Sequence, residues 1–242
     1  MPSLTQPNLK MAWAKEHLDI ALMKIEEFAK SKPYRITTTD NVERNELVQT
    51  ITYDKVPQPI ALIVGDFIIN LRSALDYLAC QLALLTTAKP STNICFPVFD
   101  EDSTDTADRI RKCTADNPSD AVSIMKDFQP YQDGDNYKYT HLWRLNKLWN
   151  IEKHRHSTLH SILVDIWFAS GAATLGVERL NDKTVVRFPL SAKDMNLEPG
   201  ITMDVCFGDE SEGFVLISDS LIDIYKFISE KVIPSFARFF PE

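Results

Sequence analysis

The stretch from Ile60 to about Leu85 constrains the fold more than any other part of the chain. At 100° per residue it is apolar on almost every side, and a helix of that kind is stable only when neighbours enclose it. Val56-Pro-Gln-Pro59 breaks the chain just ahead of it and launches it. The rest of the sequence must therefore supply helices to surround a central rod. The few polar residues of the rod are ordered. Asp66, Asn70, Ser73 and Tyr77 follow i, i+4, i+7, i+11 down one face, and Arg72 and Asp76 form an i, i+4 pair beside it. Such a seam either satisfies neighbouring backbone or belongs to a binding site. Asp66, Arg72 and Asp76 also interrupt the apolar run. No uncharged stretch there approaches the ~20 residues of a membrane span, so no membrane association is expected.

Three further helices are legible. The first runs from about Asn8 to Lys30, with Met11, Ala14, Leu18, Ala21, Leu22, Ile25 and Phe28 at helical spacing. Asn8 after Pro7 reads as its N-cap, and Ser31-Lys-Pro33 ends it. The third covers 139–156, with Leu142, Leu145, Leu148 and Trp149 on one side. The last covers 219–239, capped by Ser218-Asp-Ser220, with Leu221, Ile224, Tyr225, Ile228 and Val232 inward and Pro234 as a stop or kink.

Elsewhere the period falls to two. YRITTT (34–39) and ELVQTITY (46–53), with Asp40-Asn41 between them, predict a β-hairpin. SILVDIWFAS (161–170), ATLGVERL (173–180), TVVRFPL (184–190), ITMDVCF (201–207) and GFVLIS (213–218) predict antiparallel strands, with turns at Ser170-Gly171, Asn181-Asp182 and Gly208-Asp209. Residues 100–135 carry ten acids against four bases, which reads as a solvated segment with short helices near 105–113 and 118–127. The sum is an α+β chain, one domain over 1–242: about four main helices, an N-terminal hairpin and an antiparallel sheet inserted before the C-terminal helix.

Composition removes several functions. Seven glycines argue against a Gly-rich phosphate loop, and neither a Walker nor a dinucleotide fingerprint is present. Cys80, Cys95, Cys113 and Cys206 form no CxxC pair, which reads as free thiols in a reducing compartment. The first twenty residues contain no apolar signal core, so a cytoplasmic protein is expected. The net charge of −8 disfavours indiscriminate binding of nucleic acid, although a local basic face can still recruit a polyanion.

Such a face exists in KYTHLWRLNKLWNIEKHRHSTLH (138–160). It holds four of the five histidines, His141, His154, His156 and His160, and the cations Lys138, Arg144, Lys147, Lys153 and Arg155 against the single acid Glu152. Its local charge of +4 leaves −12 for the remainder. Asn146, Asn150 and Lys153 form a stripe beside the apolar seam, with Trp143 and His154 on its flank. Trp143 and Trp149 read as core residues rather than stacking platforms. His154 and His156 point about 200° apart in a helix, so they cannot share a metal ion, and His156 and His160 could do so, at i, i+4, only if the helix persists to 160. With no H-E-x-x-H pattern, no metal and no cofactor is expected. His154 and His156 also suit the C-terminal end of the helix dipole. His17 and His141 stand without a constellation.

Arg155 and His160, in RHSTLH, resemble the Arg–(four to six residues)–His motif of the HEPN (higher eukaryote and prokaryote nucleotide-binding) families. Those are helical bundles that include metal-independent endoribonucleases, and dimerisation brings two copies of their motif together. The resemblance implies a homodimer, RNA or a nucleotide as partner, and a catalytic pair of Arg155 and His160, with His156 in the polar position after the arginine. His154, close by in the same window, completes the candidate catalytic set. A near-neutral histidine would move the proton of a ribose 2′-hydroxyl, and a guanidinium would hold the phosphate. Ser157-Thr158 and the strand pattern after them place His160 where helix gives way to strand. NLRSALDYLA (70–79) with LNKLWNIEKHR (145–155) also resembles a family of uncharacterised bacterial proteins. It implies that Asn70, Arg72, Ser73 and Asp76 face Asn150, Lys153, His154 and Arg155 across a helix–helix seam; Asn146, from the polar stripe read above, completes the candidate binding set. Two functions follow as expectations: an RNA- or nucleotide-directed HEPN-like protein, catalytic or degenerate, or a non-catalytic interaction module whose polar seam is structural.

Overall fold

The computed structural model describes residues 1–154, 159–168, 173–180, 183–207 and 215–240. The protein is α+β, and its chain gathers into two compact units, each assembled from separate stretches. The first comprises Met1–Ile20, Leu62–Ser157 and Leu221–Glu242; the second comprises Ala21–Ala61 and Thr158–Ser220.

The first unit is helical. The N-terminal part of α1 (Thr5–Lys30) and most of α2 (Gln58–Ala83) pack with α3 (Thr104–Cys113), α4 (Ser119–Asp127), α5 (His141–His154) and most of α6 (Ile217–Phe227). As its composition demands, α2 lies at the centre: Val64, Phe67, Ile68, Leu71, Ala74, Leu75, Leu78 and Leu82 are fully buried. Its enclosure is incomplete, however. Leu62, Asp66, Ile69 and Tyr77 remain exposed along the polar face read from the sequence.

Helix α1 begins three residues earlier than the expected Asn8 cap. The Asn8 N–H already donates to Leu4 O at 2.9 Å, and Pro7 sits inside the first turn, where a missing N–H costs nothing. In α3, Ser103 caps the helix by accepting from the Thr106 N–H. The irregular segment between α2 and α3 is pinned from below. Phe96 is fully buried edge-on to Phe236 at 6.3 Å, and Gln129 bonds Pro97 O, Met125 O and the Phe99 N–H. Between α4 and α5, Pro130–Tyr139 forms 3-10 turns kinked at Gly134, whose φ of 54° combined with ψ of −128° suits only a residue without a side chain. Helix α6 widens into a π-turn over Ile228–Val232 just ahead of Pro234, whose ring nitrogen cannot supply the next helical hydrogen bond.

The second unit holds two antiparallel sheets. The hairpin β1 (Tyr34–Asn41) and β2 (Glu46–Tyr53) forms as read, but its turn lies at 42–45 rather than at Asp40-Asn41, with Asn45 at a φ of 55°. β2 then pairs with β5 (Lys183–Pro189), and β5 with β4 (Gly176–Arg179), giving the order β1-β2-β5-β4. The other sheet is β3 (Leu159–Phe168), β6 (Pro199–Phe207) and β7 (Val215–Leu216). The hairpin is thus not a separate element; it joins two of the later strands, β4 and β5. Leu47, Ile51, Val186 and Phe188 face inward at period two and meet Ile166, Phe168, Ile201 and Met203 of the other sheet. The expected turns at Ser170-Gly171, Asn181-Asp182 and Gly208-Asp209 lie outside the described residues. Ser218 does not cap α6, which starts at Ile217; its hydroxyl bonds the Asp204 carboxylate at 3.0 Å.

Candidate functional site

Helices α2 and α5 run antiparallel along a close seam. Gly65 of α2 meets the Glu152 carboxylate, so close that a Cβ at Gly65 would lie 2.7 Å from Glu152 Oε1. One end of the seam is built on Arg72. Its side chain is only 8% exposed, and its Nη2 donates to Asp76 Oδ1 at 2.9 Å and to Phe96 O at 2.7 Å. Its guanidinium lies 5.4 Å from the centre of the Trp149 ring, and Nε and Nη1 are buried without partners. Asp76 also accepts from the Phe96 N–H at 3.0 Å. Burial holds the Asp76 carboxyl above its ordinary value, and the Arg72 charge pulls the other way without winning. Arg72 and Asp76 thereby strap the segment before α3 onto the central helix.

The other polar residues of α2 turn to a different neighbour. Asn70 accepts from Lys10 Nζ of α1 at 3.0 Å and donates to Asp66 O at 2.8 Å; Asp66 lies 3.8 Å from His17 Nε2. Ser73 is half-buried on that same face. The expected single seam is therefore divided. Arg72 and Asp76 meet the α5 side, whereas Asn70 meets α1, because a turn of about 100° per residue separates the two pairs.

On α5, Asn146 is half-buried, and Asn150 and Lys153 are exposed. His154 ends the helix, and its side chain lies outside the described part. Arg155 and His156 lie outside it entirely, while the backbone of His160 belongs to β3, opposite Cys206. Helix α5 thus ends before His160, as the Ser157-Thr158 pattern indicated.

The outward side of α5 and of the turns before it carries a feature that the sequence reading assigned to the core. Trp143 and Trp149 are only half-buried, and each carries a lysine over its ring: Lys147 at 5.9 Å from the Trp143 centre and Lys153 at 4.9 Å from that of Trp149. Lys138 lies over Tyr137 at 5.7 Å and Arg144 over Tyr139 at 6.0 Å. Tyr137 meets Trp143 edge-on at 5.8 Å, and Tyr139 is 70% exposed. Four cations and four aromatic rings therefore interleave from Tyr137 to Lys153, each pair within the reach of a cation–π contact. A tryptophan at the margin of an apolar stripe packs one edge inward and leaves the remainder outside, which explains why periodicity alone buried it.

His141, isolated in the sequence, also gains surroundings. It lines a hollow of about 390 Å³ with Asp127, Phe128, Asp133, Asn136, Tyr139 and Phe227, and its ring lies 4.8 Å from that of Phe227. Burial, with Arg144 and Lys231 nearby, holds the imidazole below its ordinary value, against the opposing pull of Asp223. Phe227 lies 86 positions further along the chain, so no local pattern could reveal this pairing.

Among the thiols, Cys95 and Cys113 are neighbours, the Cys95 N–H donating to Cys113 O at 3.1 Å. A hydrogen bond from Cys113 brings the Cys95 thiol down to about 7, whereas burial raises Cys80 and takes Cys206 up to about 12. Among the described residues, no three His, Cys, Asp or Glu side chains gather as a metal site.

No helix among the described residues is long and apolar enough to cross a membrane. The class defined so far is an α+β protein with a helical unit whose basic, aromatic-lined helix is presented outward. Compared with protein-family models, curated proteins and solved structures, the chain matches none.

Proposed function

We propose that this is an RNA-directed protein of HEPN-like character that holds single-stranded RNA along the outward side of α5. The observation that carries this reading is the interleaving of Lys138, Arg144, Lys147 and Lys153 with Tyr137, Tyr139, Trp143 and Trp149. Single-strand binders combine cations that follow the phosphates with rings on which bases stack, and each stacked base is worth about 1–3 kcal/mol. The concentration of +4 in this window, within a chain of −8, directs a polyanion to that helix and away from the rest of the surface.

The binding form is favoured over the catalytic one. Arg72, Asp76 and Asn70 are engaged in holding the helical unit together, which supports a structural role for the α2 seam. The catalytic form rests on the Arg–x4–His resemblance: Arg155 would hold the phosphate, and His160 or His154 would move the 2′-hydroxyl proton. Assembly of two copies, as that resemblance implies, would be needed to complete such a centre.

One experiment separates these forms. Fluorescence anisotropy with a labelled single-stranded RNA should report binding that weakens at least tenfold when Trp143 and Lys147 are both replaced by alanine. The same RNA, followed by gel electrophoresis, reports cleavage. Cleavage lost in folded Arg155→Ala and His160→Ala proteins would establish the catalytic form, and binding without cleavage the other. Equal affinity of the wild type and the Trp143→Ala/Lys147→Ala variant would overturn the proposal.

A further inference from the structure

We infer that the hollow at the start of α5 is a nucleobase pocket that selects guanine, an inference that rests on the RNA reading above and names the base it prefers. The about 390 Å³ available is within the range of small-ligand sites, and the aromatic residues Phe128, Tyr139, His141 and Phe227 supply its stacking faces. Phe128 and Phe227 meet edge-on at 5.9 Å. Cations stand over two of these rings, Arg144 over Tyr139 and Lys231 over Phe227 at 5.8 Å, where the phosphate of an inserted nucleotide would be met. Tyr139 is shared between this hollow and the cation–aromatic face of α5, so a strand lying on that face leads to the pocket.

The polar lining decides which base fits. Gln129 is already spent, with its amide nitrogen on Pro97 O and Met125 O and its oxygen on the Phe99 N–H. The Thr140 hydroxyl donates to Tyr137 O and accepts from the Trp143 N–H. What remains are the carboxylates of Asp127 and Asp133, the Asn136 amide and the His141 Nδ1, which is buried with no partner. Carboxylates only accept. Guanine alone among the four RNA bases offers two adjacent donors, N1–H and the 2-amino group, which one carboxylate accepts together. Its O6 acceptor, next to them, suits an imidazole N–H at His141. Uracil has a single donor between two acceptors, and adenine and cytosine each offer one amino group beside an acceptor. An organic cation is the poorer occupant, because the positive charges of Arg144 and Lys231 beside two of the rings repel it.

Calorimetric titration with guanosine and uridine 5′-monophosphates tests the inference. The guanine nucleotide should bind at least tenfold more tightly, and Asp127→Asn with Asp133→Asn, which keeps the shape and removes the paired acceptors, should abolish the difference. Equal affinity for the two nucleotides, or no binding of either, overturns the pocket. Two short RNA strands, uridine-only and with guanine at alternate positions, separate this failure from that of the RNA reading. If both strands bind equally, the pocket falls and the RNA reading stands. If neither binds while the free guanine nucleotide does, the RNA reading falls and the pocket stands.

Discussion

Arg72 shows how a buried charge can be retained for structure. It gives up most of its hydration to hold Asp76, the Phe96 carbonyl and the face of Trp149, while two of its nitrogens find no partner. An ion pair taken out of water costs several kcal/mol per charge, so removal of one member leaves a penalty that nothing offsets. Arg72→Ala or Asp76→Ala should each destabilise the protein by about 3 kcal/mol, the lower end of the usual range for a buried pair, because Asp76 keeps a third of its side chain exposed. Arg72→Met combined with Asp76→Leu should lose less than the two single losses added, as measured by urea denaturation. Additive losses would show that the pair acts as two separate groups. A second residue gives a pH dependence. Because His141 is held below its ordinary 6.5 when folded, the unfolded chain takes up its proton first as pH falls. Its contribution to stability is therefore complete above 6.5 and is lost as pH drops through the folded value. The urea midpoint should fall over that window in the wild type and fall less in His141→Gln; parallel curves would remove His141 as the cause.

At the scale of elements, the seam between α2 and α5 depends on the missing side chain of Gly65. The Glu152 carboxylate lies where a Cβ would be, yet it is the mobile end of a long side chain. Gly65→Ala should be close to neutral, since about 1 kcal/mol of helix propensity offsets the displacement of Glu152. Gly65→Leu cannot be absorbed that way and should cost about 1–3 kcal/mol by overpacking. Thermal denaturation of both variants checks this, and a large loss in the alanine variant would mean that the two backbones themselves are in contact there. What could be read in advance follows the same division between local and distant causes. The period of 3.6 located α1, α2, α5 and α6 to within a few residues, and the period of two found the hairpin. Which face meets which neighbour was not legible: Asp66, Asn70 and Ser73 share a stripe, but nothing in the stripe states that α1, not α5, covers it. Nor could the join between β2 and β5 be read, because Glu46 and Pro189 pair across 143 positions. The basic window was evident from composition, but the lysines over Trp143 and Trp149 became visible only once the helix margin was known.

Along the whole sequence, charge is distributed so that one window has a net sign opposite to that of the rest. Outside 138–160 the chain carries a net −12, so a phosphate backbone is favoured along α5 over the remainder of the chain. That limits how many phosphates can be neutralised at once, and the limit is measurable. Each contact on a single strand releases about 0.7 of a counterion, so contacts from Lys138, Arg144, Lys147 and Lys153 should give a slope near −2.8 for log affinity against log salt. Replacing Lys147 and Lys153 by alanine should bring the slope to about −1.4, because two contacts are lost. Duplex RNA keeps its bases stacked inside and offers nothing for Trp143, Trp149 and Tyr139 to receive, so it should bind more weakly than a single strand of equal charge. A slope unchanged in the double variant would move the contact to another face of the protein, whatever the affinity of the wild type.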